Sequence, residues 1–309
     1  MEHKTAKRSK QKVRNTRKIV QKLNNVTREK MKDELRKLKK LSCTNVMKTS
    51  SRTRLGNNIV DAFTLIERLH TKGHSNISFY QFWNNRKKYS KKNYVKRMLD
   101  FYKTRNIDEI RKYKYIYNLY FSNIAIFRPI MAMEVYCRVK AKRVLDFTMG
   151  WGGRLVGACA LGLDTYYGID INTNLREPYE EMVHFLEKET DHKTTIELRF
   201  EDALKVDYSQ MSYDTVLTSP PYYNLEKYRG SKNRTKESWI QDFYTPLFRT
   251  TFDHLDNGGH FCINIPDSIY NDVCIPVLGK CTYKIPFKKG ERVPGKDKYK
   301  EYIYVYHKK

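Results

Sequence analysis

From about residue 140 onward, short apolar runs alternate with longer segments whose apolar positions recur at helical spacing. KRVLDF, TYYGIDI, TIELRF, YDTVLT and HFCINI read as strands. Between them RLVGACALGL, LREPYEEMVHFLEKE and WIQDFYTPLFRTTFDHLDNGG read as helices, the last closed by Gly258 and Gly259. TYKIPF and EYIYVYH read as an antiparallel pair. Alternating strands and helices imply right-handed crossovers, so the pattern predicts an α/β fold with a doubly wound, mostly parallel sheet. Residues 51–122 have a different texture. NNIVDAFTLIERL sets Ile59, Val60, Phe63, Ile66 and Leu69 on one helical side, and the helical segments after it interleave aromatics with Lys and Arg. The first forty residues hold sixteen Lys/Arg against four Asp/Glu. They read as a basic amphipathic helix or a partly disordered arm. The expected organisation is therefore a basic arm over 1–50, a helical nucleic-acid-recognition region over 51–122 and a catalytic domain over 123–309.

Charge sharpens this picture. The 309 residues carry 60 Lys+Arg against 34 Asp+Glu, a formal net charge of +26. Such an excess points to a polyanionic partner, nucleic acid before any other. Hydrophobic residues make up 40% of the chain, enough for a sizeable core. No apolar stretch is long enough to span a membrane, and the charged first residues do not read as a secretory signal. The six cysteines form no C-x-x-C pair, so they read as core residues of a protein in a reducing, intracellular setting (cytoplasm, nucleus or virion) rather than as metal ligands.

In doubly wound sheets ligands bind beyond the carboxyl ends of the strands. Here the first four strands all end in chemistry. The first ends in Asp146 and runs into MGWGG, where Gly150, Gly152 and Gly153 allow a sharp turn and close backbone approach to a ligand. Alone, such a turn is weak evidence. The second ends in Asp170, suited to accept ribose hydroxyls, a feature that also fits a nicotinamide dinucleotide. The third ends in FEDAL, where Asp202 can accept from an adenine amino group. The fourth ends in TSPPYY. A base amino nitrogen is a poor nucleophile because its lone pair is delocalised into the ring. Two acceptors aimed at its hydrogens favour the tetrahedral geometry that methyl transfer demands. The Ser219 hydroxyl and the Pro220 carbonyl are suited to that task, Pro221 stiffens the loop, and Tyr222 offers a face for an extruded base.

LDFTMGWGG, GIDIN, EDAL and TSPPYY together resemble the S-adenosylmethionine (SAM)-dependent amino-methyltransferases of DNA, especially the phage and large-DNA-virus type. The resemblance covers roughly residues 121–309. It implies the class I methyltransferase fold, Rossmann-like with a seven-stranded sheet, and SAM as cofactor. It implies that Asp146, Gly150 and Gly152 hold the methionine part, Asp170 the ribose and Asp202 with Ala203 the adenine. Phe127 and Pro129, from FRPIMAMEVY, would line the cofactor, as would Thr148, Trp151 and Arg154. Ser219, Pro220, Pro221 and Tyr222 would form the target-base pocket, bordered by Tyr223, Asn224 and Glu226. Thr148 departs from the family's usual Phe, and no long extra domain follows the fourth strand. Target recognition then falls to residues 1–125 and to RGSKNRTKESW.

The implied reaction is direct in-line transfer to N4 of cytosine or N6 of adenine after base flipping, with serine before Pro-Pro leaning towards cytosine. No Pro-Cys pair is present for a cytosine-C5 route, and no metal is implied. DNA is the expected partner, with RNA second. Two further readings compete: a protein-glutamine methyltransferase, which typically has Asn before Pro-Pro, and a nucleic-acid-binding protein with an inactive methyltransferase domain.

Overall fold

A computed structural model describes residues 15–48, 53–190, 194–223, 234–286 and 301–309. Asn224, Glu226 and the first half of RGSKNRTKESW lie outside the described residues, as do the first fourteen residues of the basic arm.

The strands are β1 (Arg143–Asp146), β2 (Thr165–Ile169), β3 (Thr195–Arg199), β4 (Thr215–Thr218), β5 (His260–Pro266), β6 (Tyr283–Pro286) and β7 (Glu301–His307). They form one sheet in the order β3-β2-β1-β4-β5-β7-β6. The first five run parallel, while β7 lies antiparallel between β5 and β6. This is the doubly wound arrangement expected from the pattern. The strand order reverses between β1 and β4, which opens a crevice at their carboxyl ends.

Successive strand residues point to opposite faces, and each face is buried. Val144 and Leu217 join a core with the helices Pro129–Val139, Gly153–Leu161 and Arg176–Glu189. Leu145 and Val216 join the opposite core, with Leu247 and Phe248 of the helix Thr245–Asp253. Burial on both sides explains why these strands read as continuous apolar runs.

The N-terminal residues that are described are folded onto this body. The helix Arg28–Lys39 starts at Thr27, whose hydroxyl accepts from Lys30 N at 3.2 Å, an N-cap. Its Leu35 and Leu38 are fully buried in the first core. Glu34 accepts from the backbone N–H groups of Gly56 (2.9 Å) and Asn58 (3.3 Å), which begin the helix Asn57–His70. Cys43 and Cys137 form a disulfide to the helix Pro129–Val139. This corrects the expectation of six plain thiols. The two lie 94 residues apart, and neither is fully buried, so nothing local in the sequence marks them as a pair.

A third cluster is rich in aromatic residues. Phe79, Phe82, Tyr113, Tyr117 and Phe121 pack together over residues 79–121. This helical layer is joined to the sheet through the helix Asn57–His70: the Thr64 hydroxyl reaches the Trp151 carbonyl at 3.4 Å, and Asn172 Nδ2 donates to Glu67 Oε1 at 3.3 Å.

Candidate active site

The turn after β1 is held by a buried ion pair. Asp146 is fully buried, and its carboxylate accepts from Arg154 Nε at 2.6 Å, from the Tyr166 hydroxyl at 2.7 Å and from the Thr218 hydroxyl at 3.0 Å. Arg154 also donates to the Thr148 carbonyl at 2.5 Å. Burial works against the charge on Arg154, and Asp146 more than offsets it, so the guanidinium stays protonated. Both oxygens of Asp146 are thus engaged by protein donors. Asp146, expected to hold the methionine part of a cofactor, anchors the turn through these bonds. The Arg154 guanidinium lies 5.1 Å from the centre of the Phe127 ring, within cation–π range.

The three glycines of the turn differ in what their missing side chains spare. A Cβ on Gly153 would lie 1.8 Å from the Phe127 carbonyl oxygen, so this glycine serves the close packing of Gly153–Leu161 on the chain before Pro129. A Cβ on Gly152 (φ +88°) would meet Met182 at 2.8 Å. Gly150 (φ +57°) has no such neighbour: the nearest atom to its Cβ position is the Thr148 carbonyl oxygen at 3.8 Å. Of the three, Gly150 is the one with room for a Cβ. Its carbonyl and that of Met149 accept from the buried Tyr179 hydroxyl at 3.2 and 3.1 Å, which fixes the loop from below.

Asp170, beyond β2, faces that turn. Its two oxygens accept from Gly150 N at 2.9 Å and Asn172 N at 2.8 Å. Burial pushes its carboxyl up to about 6, against the pull of those two backbone donors. Asp202, beyond β3, accepts from Leu204 N at 3.1 Å, and Ala203 is buried behind it. Trp151 is buried in the first core, and Pro129 is buried at the start of the helix Pro129–Val139.

On the other side of the crevice, Ser219, Pro220, Pro221 and Tyr222 leave the end of β4. The Thr218 hydroxyl, one residue before, lies 2.6 Å from that of Thr148 and ties this turn to the first. The Tyr222 hydroxyl lies 2.9 Å from Glu301 Oε1 and 3.2 Å from Asn264 Oδ1. It has one proton, and the charged acceptor is the nearer. The Ser219 hydroxyl lies 3.3 Å from that of Tyr222 and 3.4 Å from Asn264 Oδ1; with the Tyr222 proton on Glu301, Ser219 is a donor to this group and keeps lone pairs as an acceptor. Among the described residues, none donates to the Pro220 carbonyl. The far side of the turn is clamped by Tyr244, whose hydroxyl donates to the Pro221 carbonyl and accepts from Tyr223 N. Tyr223 itself takes a left-handed conformation (φ +52°), which ends the turn sharply.

Asn264 and Glu301 were not expected from the sequence. Both are buried, at 2% and 6% exposure. A single Asn inside HFCINI was a readable signal, since a buried amide in an apolar strand must find partners. Glu301 gave none, because only the antiparallel pairing of β7 with β5 brings it to the site.

No family model and no curated protein matches the chain. Several solved structures resemble it. TrmN from Thermus thermophilus aligns with 18% identity and a TM-score of 0.41, over 59% of this chain and 49% of its own. The chain thus spans about half the length of that protein. An rRNA methylase from Streptococcus thermophilus aligns with 16% identity and a TM-score of 0.41, over 60% of this chain and 99% of its own. Methanocaldococcus jannaschii Trm5, solved in complex with adenosine, aligns with 15% identity and a TM-score of 0.37, over 60% of this chain and 50% of its own. The strand order, with one antiparallel strand inserted between β5 and β6, is the class I methyltransferase arrangement that the sequence led us to expect.

Proposed function

We propose that the chain is a SAM-dependent methyltransferase acting on the exocyclic amino group of a base in DNA, N4 of cytosine or N6 of adenine. The observation that carries this reading is the Ser219–Pro220 pair of acceptors, held rigid beside the turn of β1 at the switch point of the sheet. The unobstructed backbone at Gly150, with Asp170 beside it, fits a nucleoside-bearing cofactor. When bound, SAM supplies a methyl group on a positively charged sulfur. Phe127, Gly150 and Asp170 would hold it, with Asp202 and Ala203 at the adenine end. Asp146, Thr148, Trp151, Gly152, Pro129 and Arg154 set the shape of the turn from behind. The residues of the fourth strand act on the acceptor base. Ser219 Oγ and the Pro220 carbonyl accept from the two hydrogens of its amino group, which localises the nitrogen lone pair. Pro221 and the Tyr244 clamp keep that carbonyl aimed, and Tyr222 offers its ring to the base while its hydroxyl is fixed by Glu301. Most of the rate then comes from positioning.

The test is methyl transfer from labelled SAM to duplex DNA, single-stranded DNA and mixed RNA, each digested to nucleosides and identified by mass. N4-methylcytosine or N6-methyladenine from DNA is the expected product. Label confined to RNA replaces the substrate and keeps the chemistry, whereas SAM binding without transfer to any of the three refutes a base-directed enzyme.

A further inference from the structure

The structure sorts the aromatic residues of the helical layer into two sets. Phe79, Phe82, Tyr113 and Tyr117 are buried. Phe101, Tyr115 and Tyr120 are not: they are 53%, 46% and 42% exposed, and Leu119 beside them is 49% exposed. The exposed set is not scattered. In the helix Asn93–Phe101, Tyr94, Arg97 and Phe101 share one face by their spacing. In the helix Glu109–Tyr120, Arg111, Tyr115 and Leu119 share another. The two helices meet with Tyr102 and Tyr115 rings 5.9 Å apart at one end and Tyr94 and Tyr120 rings 4.9 Å apart at the other. Arg105 lies over the Phe101 ring at 4.3 Å and extends the surface past the end of the first helix.

Charge says what such a face takes. Residues 86–120 carry twelve Lys/Arg against three Asp/Glu, a net of +9. Each of the three acids, Asp100, Asp108 and Glu109, already faces a base from the same segment. A second copy of this chain would bring the same positive field and be repelled. A bilayer surface would match the charge but has no use for flat rings alternating with guanidinium groups at a spacing of one helical turn. Bases and phosphates use both, provided the bases are unpaired, because a duplex hides their faces.

We propose that this two-helix face binds an unpaired nucleic-acid strand, its bases stacked on Phe101, Tyr115 and Tyr120 and its phosphates on Arg97, Arg105 and Arg111. This deepens the reading of the substrate as a nucleic acid: the strand that delivers the target base is engaged where it is single-stranded or already opened. The helix Asn57–His70 ties this layer to the turn of β1 through Thr64 and Trp151, so a strand held here is held against the catalytic body.

Fluorescence anisotropy with labelled 20-nucleotide single strands of DNA and of RNA, and a hairpin duplex of the same sequence, tests the proposal on the full chain. Phe101→Ala, Tyr115→Ala and Tyr120→Ala should each weaken single-strand binding about fivefold or more, with little change for the duplex. Arg97→Gln should lower the slope of log K against log salt by about 0.7, the counterion release of one phosphate. The side chains are exposed, so far-UV circular dichroism should match wild type. Wild-type single-strand affinity in the triple alanine variant overturns the proposal. So does an equal loss for duplex and single strand, which would mark the face as a general cation surface. The methyl-transfer assay is a separate readout. Aromatic-dependent strand binding without any methylated product leaves this surface standing and removes the enzymatic reading. Product formation with no effect of the three variants on binding does the reverse.

Discussion

Gly150 and Gly153 belong to one turn, yet one methyl group added to each should have opposite consequences. At Gly150 an alanine must hold φ +57°, a left-handed conformation that costs an L-residue about 1–2 kcal/mol. Its Cβ meets nothing nearer than 3.8 Å, so there is no packing cost to add. In a chain of this size that corresponds to a fall in Tm of about 2–3 °C. At Gly153 the backbone conformation is ordinary and helical, but the Cβ would lie 1.8 Å from the Phe127 carbonyl oxygen. That oxygen belongs to backbone and cannot rotate away. The helix Gly153–Leu161 and the segment before Pro129 must part by more than an ångström, at a cost of about 3 kcal/mol or more. The gain in helix propensity from Gly to Ala, about 1 kcal/mol, does not offset it. Thermal melting and calorimetric titration with SAM read the two effects separately. Gly150→Ala should melt close to wild type and bind SAM at least about tenfold more weakly, because its methyl group would stand where the proposed function sets the cofactor. Gly153→Ala should be poorly folded. Wild-type SAM affinity in Gly150→Ala would refute the assignment of that space to the cofactor, and a wild-type melt for Gly153→Ala would refute the packing.

Tyr222→Phe removes the hydroxyl that reaches Glu301 and Asn264, and should lower methyl transfer about tenfold or more while SAM affinity is kept; an equal loss of SAM affinity would move Tyr222 to the cofactor side. Ser219→Ala should behave in the same way, since the proposed mechanism sets its hydroxyl against the base rather than the cofactor. Burial raises the Asp170 carboxyl to about 6, above its unfolded value, so between about pH 4 and 6 the folded chain binds more protons than the unfolded one, and this group's contribution to stability is lost as pH rises. Ribose hydroxyls donate best to the ionised form, so SAM affinity should move the other way and strengthen as pH rises through about 6; calorimetry across that range should find the dependence in wild type and not in Asp170→Asn. The Cys43–Cys137 link closes a loop of 94 residues, for which chain entropy gives about 4–5 kcal/mol. A reducing agent should therefore lower the Tm of wild type and leave that of Cys43→Ser unchanged.

The sheet was legible because the central parallel strands are buried on both faces, which writes itself into the chain as an apolar run between helical segments. The ends of β2, β3 and β4 were legible for the same reason, since polar residues at the close of such runs stand out. What a residue does there was less so. Asp146, Asp170 and Asp202 look alike in sequence, and only the donors around them separate a buried anchor from carboxylates that border the crevice. The glycines of GWGG are likewise indistinguishable until Phe127 and Met182 are in place. Glu301 was illegible because its partner Tyr222 is 79 residues away and reaches it only through the antiparallel insertion of β7. The basic arm is charged enough to read as an amphipathic helix or a partly disordered segment, yet over its described residues 15–48 Leu35 and Leu38 seat a helix in the core. Its high charge conceals an apolar stripe no wider than one residue per turn.

The burial of Asp146 bears on how the site could work. A carboxylate placed in the core is costly unless paired, and this one is paired three times, to groups on three different segments. Arg154 carries the link to the Thr148 carbonyl in the β1 turn, and Thr218 carries it to the first residue of the Ser-Pro-Pro turn. The two loops that face each other across the crevice are therefore joined from below by one buried charge. A methyl donor on one side and an acceptor nitrogen on the other must meet within a fraction of an ångström, and loops that drift independently cannot hold that distance. An Asp146→Asn substitution keeps the shape and weakens every one of these bonds at once. Its expected signature is a loss in the rate of transfer greater than any loss in SAM affinity, since what it loosens is the distance between the two turns.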